Sequence, residues 1–206
     1  MSNPDLKPER AVNFEIGGDR KIRSFNLSGA LFYSDLSDAL VSVRTPANLN
    51  RRENYGSARY YGGELSIDAK LGSALDAGIN YSYIHRDFDV GETLDGVIRP
   101  FRLTDVPSHK GFAYVAWRPL SGLELLPSAE VASERTTVTP ATATGNTPIY
   151  YKTGDYLRLD FRVTYTAVDG IELGAGVRNL TDRYYILSDG FPEPGRSYYL
   201  SVRARY

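Results

Sequence analysis

The stretch LRLDFRVTY, residues 157–165, alternates strictly between apolar and polar side chains. Leucine, phenylalanine, valine and tyrosine occupy one set of positions, whereas arginine, aspartate and threonine occupy the other set. Since successive side chains of a β-strand point to opposite faces, this stretch predicts a strand with one apolar and one polar face. The same alternation recurs at residues 25–33, 61–71 and 198–206, and it predicts an all-β fold for the whole chain.

The predicted strands are long. We expect about nine of them, roughly at residues 10–17, 24–42, 57–71, 75–87, 108–118, 123–137, 155–167, 171–186 and 196–206. Several reach about a dozen residues, whereas strands of soluble proteins most often have about 5–6. A strand that crosses a bilayer at a tilt needs about 9–11 residues. This length favours transmembrane strands.

Short and long connections alternate along the chain. The short ones lie near residues 18–24, 72–74, 119–122 and 168–170, and the long ones at 44–56, 88–107, 138–154 and 187–195. An up-and-down meander with this alternation has short turns at one rim and long loops at the other. Outer-membrane barrels have this form, with short periplasmic turns and longer extracellular loops. We therefore predict an antiparallel up-and-down transmembrane β-barrel segment.

Composition excludes several other functions. The 206 residues carry a formal net charge of −1, so no global field attracts nucleic acid. There is no cysteine, which excludes disulfides and thiolate metal sites. There are 16 tyrosines, and tyrosine suits strands and interfaces where one end of its ring is dry and the other is wet. No apolar run reaches the about 18 residues of a transmembrane helix, and the polar N-terminus lacks a signal-peptide core.

Four motifs resemble one family. NPDLKPER (3–10), YYGGELSIDAKL (60–71), VRNLTDRYY (177–185) and GFPEPGRSYYLSVRARY (190–206) are similar to the C-terminal barrel portion of TonB-dependent outer-membrane receptors of the iron–siderophore type. The resemblance implies a plugged barrel of about 22 strands. It also implies uptake of a ferric siderophore or a similar nutrient across the outer membrane of a Gram-negative bacterium. The partners it implies are membrane lipid, the TonB complex acting through a plug, and the barrel-assembly machinery.

The resemblance also sets expectations for domain organisation. We expect residues 1–206 to form the C-terminal part of the receptor barrel, with no plug domain or signal peptide in the chain. Strand parity agrees, since about nine strands begin and end on opposite rims while bacterial single-chain barrels have an even number. The resemblance further implies that Tyr198 and Tyr206 belong to the signal read by the assembly machinery.

Catalytic and metal-binding motifs are not found in the sequence. The two histidines, His85 and His109, lie near predicted strand ends and are interpreted as polar rim residues. No P-loop, nucleophile elbow or metal-ligand spacing occurs. We therefore expect no cofactor and no enzymatic activity.

Candidate ligand-binding residues lie on three predicted long loops. Arginine and aromatic side chains suit an anionic, aromatic ligand such as a ferric catecholate, through charge-assisted hydrogen bonds and stacking. The alternative is that the outer loops of such receptors are generally polar and rich in tyrosine. The candidates are Arg51, Arg52, Tyr55, Phe101, Arg102, Tyr150 and Tyr151.

Two other classes of protein fit part of the pattern. A self-contained small outer-membrane barrel, either a porin or an enzyme, would need an even strand number and, for an enzyme, converging catalytic groups. A soluble β-sandwich binding module also alternates polar and apolar residues along its strands. A sandwich would be monomeric in plain buffer, whereas a barrel segment would depend on detergent.

Overall fold

A computed structural model describes residues 3–44, 50–54, 56–89, 104–139 and 149–205. The elements assigned in this part of the chain are all β-strands. Within it, no helix is long and apolar enough to cross a membrane. The predicted all-β class is confirmed.

Nine long strands form one sheet, in which each strand lies beside its neighbours in chain order. The five pairings from β6 to β15 are antiparallel. The nine strands are β1 (Arg10–Ile22), β2 (Phe25–Ser37), β5 (Ser57–Lys70), β6 (Leu75–Asp89), β7 (His109–Leu120), β8 (Leu123–Ala132), β11 (Tyr156–Val168), β12 (Ile171–Arg178) and β15 (Ser197–Ala204).

Six shorter strands form three separate hairpins within the long connections. These are β3 (Leu40–Arg44) with β4 (Asn50–Asn54), β9 (Arg135–Thr139) with β10 (Ile149–Thr153), and β13 (Ile186–Ser188) with β14 (Phe191–Pro192). Three predicted strands, at 24–42, 123–137 and 171–186, were therefore too long. Asp38 and Asn179 end two of them at φ of 55° and 53°, a left-handed conformation that breaks a strand.

The first short turn is also tighter than predicted. Strand β1 runs through Gly17 and Gly18 to Ile22, so that the turn consists of Arg23 and Ser24 instead of residues 18–24. Arg23 has φ of 53° in this turn. At the turn after β11, Gly170 has φ of 84°, and a Cβ there would lie 2.6 Å from the carbonyl oxygen of Arg205. Only glycine fits that position without strain.

Large apolar side chains lie on the exposed face of the sheet. In β15 the exposed fractions are 75% for Tyr198, 87% for Leu200 and 74% for Val202, and in β1 Phe14 is 65% and Ile16 74% exposed. The buried apolar residues of the described chain are alanines and two tyrosines. A soluble sandwich would cover such faces with a second sheet. The exposed apolar faces instead match strands that meet lipid.

The described chain divides into two compact units. The first consists of Met1–Gly17, Ala30–Gly63 and Ile84–Leu103, and the second of Gly18–Gly29, Glu64–Tyr83 and Thr104–Tyr206. In the second unit, cross-strand register places Arg158 opposite Glu130 and Arg162 opposite Leu126. The apolar neighbours Leu159 and Phe161 lie opposite Ala129 and Pro127, on the other face.

A charge network crosses four strands on the polar face of the second unit. Arg118 of β7 contacts Asp76 of β6 at 2.8 Å and Glu124 of β8 at 3.1 Å. Glu124 also lies 3.7 Å from Arg162 of β11. These side chains are a quarter to a half exposed, so solvent screens each pair and none of them contributes much to stability. The network gives this face the polar character of a barrel interior.

Candidate functional site

The predicted ligand contacts Arg51 and Arg52 lie on β4, in the first unit. Register pairs them with Val43 and Ser42 of β3. The Nε of Arg51 donates to Glu53 at 2.8 Å, and Glu53 is only 7% exposed. Arg51 is therefore engaged within its own strand, whereas Arg52 is exposed.

The N-terminal motif holds this hairpin in place. Asn54 accepts a hydrogen bond from the backbone NH of Lys7 at 2.7 Å and donates to the Lys7 carbonyl at 2.9 Å. Asn3 donates to the backbone carbonyl of Arg52 at 3.0 Å, and Glu9 accepts from the NH of Leu40 at 3.0 Å. The NPDLKPER motif thus has a structural role, since it fastens β3 and β4.

Three of the predicted contacts, Tyr55, Phe101 and Arg102, lie outside the described residues. Tyr150 and Tyr151 lie on β10, in the second unit, whereas Arg51 and Arg52 belong to the first. Tyr151 pairs in register with Thr137 of β9.

The β9–β10 hairpin is fastened to the segment that follows β12. The hydroxyl of Tyr151 donates to Asp189, and the NH of Asp189 donates to Thr137 Oγ1 at 3.0 Å. Ser188 donates to Asp105 at 3.2 Å, and the NH of Asp105 donates to the carbonyl of Thr136 at 2.8 Å. Four hydrogen bonds, one of them between two backbone groups, therefore join three segments of the second unit.

An aromatic and charged cluster lies beside this hairpin, since Arg135 of β9 lies 5.4 Å from the ring of Tyr156. The rings of Tyr156 and Tyr185 stack at 4.2 Å, and the Tyr156 hydroxyl donates to Glu130 at 2.6 Å. Arg158 lies between Glu130 at 3.5 Å and Asp160 at 3.1 Å. The alternation of residues 157–165 predicted polar side chains at Arg158 and Asp160, but the stack of Tyr156 with Tyr185 was not predicted from the sequence. We call Glu130, Tyr156, Arg158, Asp160 and Tyr185 the rim cluster.

The VRNLTDRYY motif positions Tyr185. Asn179 is 1% exposed, and its side chain accepts from the NH of Arg183 at 2.9 Å and donates to the Arg183 carbonyl at 2.8 Å. The NH of Asn179 donates to Asp160 at 2.9 Å, and Asp182 accepts from the NH of Arg196 at 2.7 Å. The motif therefore closes a turn that directs Tyr185 onto Tyr156. Asparagine suits this position because it tolerates the left-handed conformation and its short side chain can bond nearby backbone groups, here those of Arg183.

The described residues hold no group of three or more histidine, cysteine, aspartate or glutamate side chains that could bind a metal. His109 instead accepts or donates a hydrogen bond at 2.6 Å with the hydroxyl of Tyr81, and its ring lies 4.8 Å from that of Tyr83. It is thus part of an aromatic group formed by the first residue of β7 and the middle of β6. Its interpretation as a polar rim residue stays a prediction.

The Tyr151–Asp189 contact gives a testable pH dependence. The hydrogen bond to Asp189, followed by burial, raises the pKa of the Tyr151 hydroxyl from 10.0 to about 12. Because the folded pKa lies above the unfolded one, the contact contributes its full stability below pH 10 and loses it as the pH rises towards about 12. We expect Tyr151→Phe to remove one tyrosine with a pKa of about 12. The measurement is a pH titration of tyrosinate absorbance, compared between the wild type and the variant. A difference curve centred near 10 would contradict the contact.

Comparison with known proteins identifies the same family throughout. A family model described as "TonB dependent receptor-like, beta-barrel" matches residues 1–180. An iron-regulated outer membrane virulence protein of Vibrio cholerae serotype O1 is 26% identical over 215 residues, which cover 97% of this chain and 31% of the relative. The chain thus spans about a third of the length of the curated relatives it matches.

Solved structures show the same fold. The FrpB iron transporter of Neisseria meningitidis superimposes with a TM-score of 0.77 at 21% identity, covering 98% of this chain and 31% of the transporter. The ferric-catecholate import receptor Fiu of Escherichia coli K12 gives 0.76 at 20% identity, covering 99% of this chain and 29% of the receptor. These similarities confirm the predicted antiparallel transmembrane barrel segment over the sandwich alternative.

Proposed function

Because this chain belongs to the TonB-dependent receptor-like β-barrel family, we propose that it forms the C-terminal wall and outer loops of an outer-membrane receptor for energised uptake of an iron complex. The match over residues 1–180 is the observation that carries this proposal. The family consists of receptors and transporters, so the chain is not an enzyme. Its location is the outer membrane of a Gram-negative bacterium.

The names of the relatives support iron as the cargo. The curated relative is iron-regulated, one solved structure is an iron transporter, and another imports ferric catecholates. We propose a siderophore-like complex as the ligand. Of the predicted contacts, Arg52 is exposed and Tyr151 lies on a fastened hairpin, and the full set of seven stays a prediction.

The proposed partners follow from the two faces of the sheet. The exposed apolar face, with Leu200 at 87% and Val202 at 74% exposure, suits lipid. The charged face suits a plug domain through which the TonB complex would act. Tyr198, on β15, and Tyr206, outside the described residues, are proposed to be read by the barrel-assembly machinery.

Uptake of labelled iron tests the proposal. A receptor in which these 206 residues form the C-terminal part of the barrel is expressed in a Gram-negative strain that lacks its own siderophore receptors. We expect uptake of iron from at least one class of siderophore (catecholate, hydroxamate or carboxylate), with loss of uptake in a matched strain without TonB. Uptake of similar size in both strains, or uptake of none of the three classes, would contradict the proposed function.

A further inference from the structure

Two oppositely charged side chains of the second unit have buried atoms without a hydrogen-bond partner. Arg135, the first residue of β9, is 6% exposed, and its Nε and Nη2 nitrogens are buried and unbonded in the described part of the chain. Asp105 is half-buried, and its Oδ1 is likewise buried and without a partner among the described residues. Buried polar atoms are normally bonded and buried charges are normally paired, so the two groups call for a common explanation.

The backbone brings these two residues together at the start of β9. The NH of Asp105 donates to the carbonyl of Thr136, the residue after Arg135, at 2.8 Å. Asp105 therefore lies beside β9 much as a residue of a neighbouring strand would. Residues that are direct or diagonal neighbours on adjacent strands lie within reach of a long side chain such as that of arginine.

The side chains of both residues also border the same neighbouring segment. Arg135 and Thr137 are two positions apart on β9 and so project from one face of the hairpin, and Thr137 Oγ1 accepts from the NH of Asp189 at 3.0 Å. The second carboxylate oxygen of Asp105, Oδ2, accepts from Ser188 at 3.2 Å. The segment of Ser188 and Asp189 thus contacts the carboxylate of Asp105 and the face of β9 from which Arg135 projects.

The other carboxylates around this hairpin already have partners. They are Glu130 with Tyr156 and Arg158, Asp160 with Arg158, Glu134 with Lys152, and Asp189 with Tyr151. The face of the Arg135 guanidinium is also in use, since its central carbon lies 5.4 Å from the centroid of the Tyr156 ring. What remains is the edge formed by Nε and Nη2, which is the edge that binds a carboxylate through two hydrogen bonds. Asp105 supplies a buried carboxylate oxygen that is free to meet this edge.

Burial of both groups favours a pair between them. Each charge has lost its hydration at the unbonded atoms, and no hydrogen bond within the described residues replaces it there. Rotation of a side chain between staggered conformations costs little in comparison. A pair would satisfy the Nε–Nη2 edge of Arg135 and would add a second contact to the bond that Asp105 already makes with Ser188.

We propose that Asp105 and Arg135 pair through these atoms, and that the pair positions two loop segments for ligand binding. Asp105 lies near the end of the predicted long loop at 88–107, which holds two of the predicted ligand contacts. Arg135 begins the hairpin that holds two others, Tyr150 and Tyr151. The pair keeps the two segments in one arrangement before the ligand arrives, so that binding does not have to order them. This assignment rests on the proposed function, in which these loops receive an iron complex.

Hydrogen exchange of the Asp189 amide tests the pair, because this NH is bonded to Thr137 in the segment that both charges border. In a purified receptor that carries this chain, we expect Asp105→Asn and Arg135→Met each to speed this exchange by about tenfold or more, since each leaves one buried charge alone. The double variant should exchange more slowly than the product of the two effects requires. Glu134→Gln is the matched control and should leave the rate unchanged, because its pair with Lys152 is exposed.

The double variant decides between a pair and two separate charges. The cycle cancels the contact of Arg135 with the Tyr156 ring, which R135M loses whether or not Asp105 is present. Effects that simply multiply in the double variant, or a wild-type rate in either single variant, would overturn the proposal. Arg135→Lys keeps the charge and should recover part of the protection that R135M loses. Exchange as fast in R135K as in R135M would assign the loss to packing and would also overturn the pair.

Uptake kinetics test the positioning role. The probe is whichever ferric catecholate, hydroxamate or carboxylate complex the wild type takes up. We expect D105N and R135M to raise the concentration for half-maximal uptake by about fivefold and to keep the maximal rate within about twofold, with E134Q like the wild type. An unchanged half-maximal concentration would overturn the positioning role. Absence of uptake by the wild type with all three complexes would instead contradict the proposed function, and hydrogen exchange would still decide whether the pair forms.

Discussion

Replacing Phe161 by arginine should reduce the stability of the folded barrel in a bilayer by about 2–4 kcal/mol, because it places a charge on the lipid face. Phe161 lies near the centre of β11, between Pro127 of β8 and Val177 of β12 on the apolar face. The centre of a strand that spans the bilayer is the part farthest from both membrane interfaces. The measurement is urea-induced unfolding from phospholipid vesicles of a receptor that carries this chain.

The neighbouring residue supplies the matched control. Arg162 points to the opposite face, its side chain is 48% exposed, and its contact with Glu124 is 3.7 Å long. We expect Arg162→Leu to cost at most about 1 kcal/mol. Arg158 is a poorer control, since it is 25% exposed and contacts two carboxylates that its loss would leave unpaired. Similar costs for Phe161→Arg and Arg162→Leu would overturn the assignment of the two faces.

The long strands and their faces could be predicted from the sequence because a period of two is a local property. Residues 157–165 place Leu159 and Phe161 on one face and Arg158 and Arg162 on the other, whatever their neighbours are. The structure keeps that division. It extends across strands because a shift of one residue would expose every charge to the wrong side.

The strand ends could not be predicted in the same way. The apolar–polar alternation ends before Asp38 and Asn179, yet the predicted strands were extended through both residues, to 42 and 186, where the structure has a break. Both residues belong to the types that tolerate a left-handed conformation, which is the signal that would have marked these breaks. The short hairpins beyond them depend on contacts such as that of Asn54 with Lys7, 47 positions away in the chain.

The rim cluster shows a second reason why parts of the structure could not be predicted from the sequence. Glu130, Tyr156 and Tyr185 are far apart in sequence, and their contact depends on the register of β8 with β11 and on the turn at Asn179. A close approach elsewhere depends on register too, since a Cβ on Gly176 would lie 2.4 Å from the ring of Tyr199. The position of Arg135 was not predicted either. The sequence placed it inside a strand at 123–137, whereas β8 ends at Ala132 and Arg135 begins β9.

The central claim is that this chain is a segment of a larger barrel wall, and it rests on the two outermost strands of the sheet. Among the described strands, β1 pairs only with β2, and β15 only with β12. Their outer edges therefore present backbone NH and CO groups that need partners. In hydrocarbon each unsatisfied group costs several kcal/mol, so that an open sheet is not stable in lipid. The remaining strands of a receptor would supply the missing partners at both edges.

Electrophoretic migration of the isolated 206-residue chain after refolding in micelles tests this claim most directly. A closed barrel migrates differently before and after heating and resists protease. We expect the isolated chain to aggregate or associate with copies of itself and to show no heat-dependent shift, while a receptor that contains the same residues shows the shift. A heat-modifiable, protease-resistant monomer formed by the isolated chain would contradict the account and would indicate a self-contained barrel.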